Sequence, residues 1–390
     1  MRTVRQLIFR EVLASIAFVA AGFLALFFFF DLVDELQHLG KNSGLSSGLP
    51  GIPSASNIYQ IRHALLYVGL LIPNHLYELL PISVLIGTIF VMARLAKSSE
   101  YTILRTSGLD PWRALKLLLS LGALFVMASF LIGDYLAPLS ERTAQLLKAK
   151  YQGTITVGQT GAWLKEKQAY NTYVANVKKL SPSNDMLGIQ IFEFDNKGLV
   201  VSKMQAVSAT FAEDDSWLLK GVTRTEFSLP ASSATAAKPI VEQLAGVSRS
   251  TLSSFRWPTE ISPEMVSVAL LKPERMGTID LFNYIRHLDA NGQSAQRYEI
   301  EFWKKVFYPL SCLVMVILAL PFAYLHFRSG GITVYVFMGV MIGISFFLLN
   351  NVFGYIGNLQ NWRPWFAAAA PGLLYMTFSL GAFGWLVLRR

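Results

Sequence analysis

Long apolar runs separated by short polar ones occupy both ends of this chain, and its middle keeps a different rhythm. Residues 12–32 are almost wholly apolar and include Phe27, Phe28, Phe29 and Phe30; about 20 such residues cross a bilayer as a helix. The polar stretch 34–57, DELQHLGKNSGLSSGLPGIPSASN, is rich in Gly and Ser and broken by Pro50 and Pro53, which predicts a loop. A second run, 64–95, is longer than one crossing needs and contains Pro73, Asn74, Glu78 and Pro81. It predicts a span that is tilted and kinked, or one that begins as an interfacial helix. The third run, 112–136, ends at Asp134 and Pro138.

From 138 to about 296 no run is long enough to cross a membrane, and the pattern turns to period two. Strands are predicted at 162–164, 171–177, 187–194, 199–211, 217–227 and 247–257, with turn signals such as Asp195-Asn196-Lys197-Gly198 between them. Short strands rich in Thr, Val and Phe predict an antiparallel sandwich or barrel. Ile279, Leu281, Phe282, Ile285 and Leu288 then recur at helical spacing, with Thr278 as the predicted cap and Gly292 as the stop. Three more apolar runs follow, at 302–327 with Lys304 and Lys305 at its start, 332–353 and 365–388.

The short-loop charges orient this array. Arg2, Arg5 and Arg10, then Arg94, Lys97, Arg105, Arg113 and Lys116, then Arg328, Arg389 and Arg390 fall on one side. The other side has Lys41 and Arg62 against Asp34 and Glu35, and Arg363 alone. The positive-inside rule places both termini and residues 94–113 in the cytoplasm and the β region outside. The predicted fold is a membrane α-helical one of six transmembrane helices with an inserted extracytoplasmic all-β domain. Residues 1–137 hold three spans, 138–277 the β domain, and 278–390 a connecting helix and three more spans.

Between the second and third runs lies RLAKSSEYTILRTSGLDPWR, residues 94–113. Ser98 and Ser99 suit an N-cap, Glu100 suits the positive end of a helix dipole, and Gly108 suits a left-handed stop. Tyr101, Leu104 and Arg105 fall in the one or two turns between. A helix so short needs a surface to lie on; the alternative is an ordinary interhelix loop.

Composition narrows the class. The chain has 390 residues, 53% hydrophobic and 15% charged, against roughly a quarter charged in soluble domains. Its net charge of +9 gathers beside the apolar runs, which fits membrane topology and argues against nucleic acid as a partner. The N-terminus has a basic start like a signal peptide, but its apolar run is long enough to span, which predicts an uncleaved helix. Cys312 is the sole cysteine, so no internal disulfide forms. No Walker A, HExxH, GxSxG or Rossmann glycine pattern occurs, and the five histidines lack metal spacing. Asp31 and Glu78 lie near predicted span ends, where interfacial placement competes with function. Asn350 and Asn351 could bond across helices. Phe27, Phe30, Phe346 and Phe347 suit either bulk lipid or a large apolar ligand.

Three blocks then carry a resemblance: FDLVDEL after the first span, LPISVLIGTIFVMARLAKSSEYTILRTSGLDPWR, and RYEIEFWKKVFYPLSCLVMVILALPFAY at the fourth span. In this order they resemble the lipopolysaccharide-export permeases, the LptF/LptG (YjgP/YjgQ) family, over nearly the whole chain, and its LptG branch more than its LptF branch. The resemblance implies an inner-membrane half of an ABC exporter that pairs with an LptF-type permease, binds an LptB-type ATPase dimer and associates with an LptC-type protein. It implies lipopolysaccharide as substrate and a periplasmic β-jellyroll-like insert that leads to a periplasmic bridge. The chain itself would bind no cofactor, and ATP and Mg would be used by the partner ATPase. Residues 98–108 would be the coupling helix, with Glu100, Tyr101, Leu104 and Arg105 against the ATPase. Spans one and five would wall the lateral gate, making the four phenylalanines lipid A contacts. Family members carry several lysines near the end of span one; here only Lys41 stands close by, with Arg62 and Arg142 as further candidates for the phosphates. A secondary transporter or a membrane-anchored β-domain scaffold without ATP coupling is the alternative, which stable copurification with a soluble ATPase would separate.

Overall fold

In the computed structural model, residues 2–37, 39, 59–98, 111–152, 161–181, 185–212, 216–228, 246–269, 273–324 and 332–385 are described. Among them six helices are long and apolar enough to cross a membrane, in two groups of three around a β region. The first group is α1 (Arg2–Leu36), α2 (Ile61–Lys97) and α3 (Pro111–Leu131). A π turn, Ile132–Leu136, passes into α4 (Ala137–Gln152). Residues 138–152 therefore extend the third span instead of opening the β region. A proline removes one ladder bond, and the π turn just before Pro138 is where the ladder already resets, so the helix survives it.

α2 is the helix around which the rest is arranged. It runs 37 residues unbroken through Pro73 and Pro81, ~55 Å at 1.5 Å per residue, well beyond one bilayer core. Its second half, from Leu80 to Leu95, is nearly all buried. Gly87 faces α1 so closely that a Cβ there would lie 2.7 Å from the Ile16 Cα. Ile82, Ile86 and Ile89 face the later helix α9 (Ile332–Leu359), where Gly339 and Gly343 leave room for them. Glu78, expected near a span end, falls near the middle of the 37-residue α2.

Six strands follow: β1 (Ala162–Lys167), β2 (Thr172–Leu180), β3 (Met186–Phe194), β4 (Val200–Phe211), β5 (Ser216–Ser228) and β6 (Gly246–Pro258). They form one antiparallel sheet in sequential order. At the β3–β4 turn, Asp195 Oδ1 accepts from the Lys197 and Leu199 N–H groups, each at 2.9 Å, and Gly198 takes φ 77°. Alternate residues such as Leu164, Val177, Ile189, Ile191, Met204 and Leu219 make the core. Trp217 is fully buried and its Nε1 donates to the Ile261 carbonyl at 2.7 Å. Helices α5 (Pro263–Ala269) and α6 (Thr278–Ala290) add Val266, Tyr284 and Leu288 to the same core. The two edge strands meet at one end, where buried Glu166 of β1 accepts from Thr259 Oγ1 and, at 3.1 Å, from the Glu260 N–H.

Thr278 does not cap α6. Gly277 is the N-cap, and the Thr278 hydroxyl donates to Asp134 in the π turn, tying the β region back to the third span. The second group begins with α7 (Gln296–Phe307), a 3-10 turn (Tyr308–Leu310), α8 (Ser311–Ala319) and a second 3-10 turn (Leu320–Ala323), which together make the fourth span. α9 and α10 (Pro364–Phe383) complete it. α2 and the fourth span form most of the interior, whereas α1, α3, α9 and α10 keep broad outward faces.

Candidate functional site

α1 is seated unevenly. Ile8, Val12, Ile16 and Ala20 recur every four residues and are buried as one stripe, the row that i, i+4 spacing aligns on a helix. Residues 21–34 then contain no buried side chain. Near its N-terminal end Glu11 pairs with Arg94 of α2. Its C-terminal half is tethered by polar contacts instead of packing.

One ion pair and one His–Asp hydrogen bond make that tether. His75 Nε2 and Asp31 Oδ2 lie 2.7 Å apart, and the Phe27 ring lies 4.8 Å from the His75 ring. Lys148 Nζ of α4 donates to Glu35 Oε2 at 2.9 Å and sits 4.6 Å over the Tyr67 ring. Glu35 is only 4% exposed, so this carboxylate would be costly to leave unpaired. About two turns along α4, buried Glu141 accepts from Arg275 at 2.6 Å. Asp31 was legible as an ionisable residue beside a span. His75, Glu35, Lys148 and Arg275 were not, because their partners lie 44 to 134 positions away in sequence.

The sequence-derived candidates separate into three sets. Lys41, Glu100, Tyr101, Leu104 and Arg105 lie outside the described residues. Phe27 is half-buried on His75, while Phe30 and Phe347 face outward, 57% and 44% exposed. Phe346 points the other way: it is buried, meets the Tyr375 ring edge-on at 5.2 Å, and belongs to the bundle interior. Adjacent residues on a helix differ by 100°, so Phe346 and Phe347 cannot share a face. Arg62 at the start of α2 and Arg142 on α4 are exposed, and among the described residues neither has an ion-pair partner. Asn350 lines a cavity between α7, α8, α9 and α10, and Asn351 is exposed. Among the described residues no three His, Cys, Asp or Glu side chains gather as metal ligands.

The model of the lipopolysaccharide export system permease LptF/LptG family matches residues 6–389. The chain is 27% identical over 361 residues to the lipopolysaccharide export system permease protein LptG of Escherichia coli, covering 92% of this chain and 90% of that protein. It is 25% identical over 335 residues to LptG of Haemophilus influenzae, covering 85% and 87%.

Proposed function

The chain belongs to the lipopolysaccharide export system permease LptF/LptG family, and on that premise we propose that the outer half of α1 is the movable wall past which the lipid enters. As the permease component of lipopolysaccharide export, it is a multi-pass membrane protein with six apolar helices and a β domain between them. Its role is transport, and nothing in its relatives favours a secondary transporter or a passive scaffold.

The observation that carries the proposal is the change in how α1 is held. Its inner half is zipped to α2 by packed side chains, and its outer half rests on one ion pair, one His–Asp hydrogen bond and one ring contact. Apolar packing is lost as soon as surfaces part, whereas an ion pair can exchange partners with an incoming charged headgroup. The exposed rings of Phe29, Phe30 and Phe347 suit acyl chains, and Arg62 and Arg142, with Lys41 in the sequence between the first two spans, suit phosphates. A lipid opens such a wall only as far as it binds the open form better.

The rest of the machine follows as proposals from family and charge bias. The chain sits in the inner membrane with both termini cytoplasmic and the β domain in the periplasm. It pairs with an LptF-type permease, associates with an LptC-type protein, and docks residues 98–108 into an LptB-type ATPase, which binds the ATP and Mg. The β domain passes the lipid to a periplasmic bridge. The test is photo-crosslinking from position 30 or 347 in the assembled exporter: adducts with lipopolysaccharide are expected at both and none at Phe346. Adducts at Phe346 alone would move the path inside the bundle and end the proposal.

A further inference from the structure

The second helix group frames a partly open cavity of about 210 Å³ between α7, α8, α9 and α10. Its walls are apolar, with Leu310, Val314, Leu373 and Met376 among them, except for Lys304, Tyr308, Ser311 and Asn350. An apolar cavity of about 150 Å³ already holds a benzene ring, so this one takes a length of hydrocarbon chain. The ammonium at its rim is built in. Lys304 Nζ donates to Glu301 Oε1 at 2.7 Å, both side chains being less than one-fifth exposed. A Cβ at position 354 would fall 2.5 Å from Lys304 Nζ, so Gly354 is what lets the charge lie against α9.

Lys304 lies eight residues along α7 from Gln296, ~12 Å at helical rise. The Gln296 amide donates to the Trp362 carbonyl at 2.6 Å in the α9–α10 connection, and Trp362 and Trp365 stand beside it. Tryptophans mark the boundary of a bilayer. Along α7 the ion pair thus lies inward of that tryptophan level, with the cavity beyond it.

We propose that this cavity binds a glycerophospholipid with a phosphoethanolamine headgroup. One acyl chain fills the cavity, the phosphate meets Lys304, and the amine meets Glu301. The choice of headgroup rests on charge. An anionic lipid would satisfy Lys304 but meet Glu301 as a like charge, whereas a zwitterion gives each member of the pair an opposite partner, and a primary ammonium, unlike a quaternary one, has N–H groups to donate to Glu301. Phe346 lines this cavity, which accounts for its inward side chain without a part in the α1 gate, and the site rests on no part of the export reading.

The full chain carrying Leu373→p-benzoylphenylalanine, in nanodiscs of phosphatidylcholine with equal minor fractions of phosphatidylethanolamine and phosphatidylglycerol, tests this. Phosphatidylethanolamine adducts should exceed phosphatidylglycerol adducts about threefold or more, the scale of one partly exposed charge-assisted contact. The same probe at Met127, an outward residue of α3, should show no preference and reports that the chain is folded. Glu301→Gln should reverse the preference toward phosphatidylglycerol, and Gly354→Ala, which displaces the ammonium but keeps both charges, should flatten it. Equal adducts in the parent chain, a preference that Glu301→Gln leaves unchanged, or adducts only with lipopolysaccharide or another protein would each overturn the assignment.

Discussion

Lys148 Nζ donates to Glu35 Oε2 at 2.9 Å, and this contact joins the C-terminal end of α1 to the helix that prolongs the third span. The two side chains are unequally placed: Glu35 is 5% exposed and Lys148 27%. Removing either one therefore has a different consequence for the other.

Lys148→Ala strands a buried carboxylate. Breaking a buried pair costs about 3–5 kcal/mol; because Lys148 is partly solvated, about 1–3 kcal/mol is expected here. Adding Glu35→Ala should recover part of that loss. Thermal unfolding of the two single variants and the double variant measures the coupling, and strictly additive losses would show that the pair holds nothing.

Gly87→Ala should loosen α1 from α2, since the new Cβ meets the Ile16 backbone. Overpacking of this kind costs about 1–3 kcal/mol. Gly22→Ala, where a Cβ meets nothing within 4 Å, is the control and should be neutral or slightly stabilising. Equal unfolding temperatures for the two variants would count against the close helix contact.

Orientation is read by labelling Ser107→Cys and Asn196→Cys with a membrane-impermeant thiol reagent in cells with a permeabilised outer membrane. Cys312 is buried and stays silent. Asn196→Cys should react and Ser107→Cys should not; the reverse pattern inverts the topology.

Glu100→Arg tests the coupling segment. As a helix-dipole contact alone Glu100 contributes about 0.3–1 kcal/mol, and reversal would be mild. Docked against a basic partner, the same reversal costs about 2–5 kcal/mol. The variant should insert and fold but lose export, with partial recovery when the facing Arg or Lys of the ATPase is made acidic. Full export with an unaltered ATPase would remove this contact from the mechanism.

Acid should weaken the seam between the β domain and α6. Burial holds the pKa of His287 below its ordinary value of 6.5, against the opposing pull of the Glu166 and Glu260 carboxylates. Between the depressed value and 6.5 the unfolded chain binds more protons than the folded one, so stability rises with pH across that window and levels off above it. His287→Asn should flatten this dependence in thermal unfolding between pH 5 and 8. An unchanged slope would assign the acid sensitivity to other groups.

The apolar runs by themselves settled that six helices span, since a bilayer demands about 20 apolar residues whatever surrounds them. Period-two alternation likewise put the six strands within a few residues of where they lie, because one face of each had to be buried. The resemblance in the quoted blocks gave the family. Where each phenylalanine points was not legible: Phe346 and Phe347 read alike, and only the packing of α9 on α2 and α10 turns one inward. The tethers of α1 were hidden for a related reason. Asp31 with His75 and Glu35 with Lys148 are ordinary polar residues in sequence, and they become pairs only when α2 and α4 bring them within hydrogen-bond reach. Local pattern decides which segments form, through hydrophobicity and backbone preference. Which charges meet, and which half of a helix is packed, is decided by contacts between segments far apart in the chain.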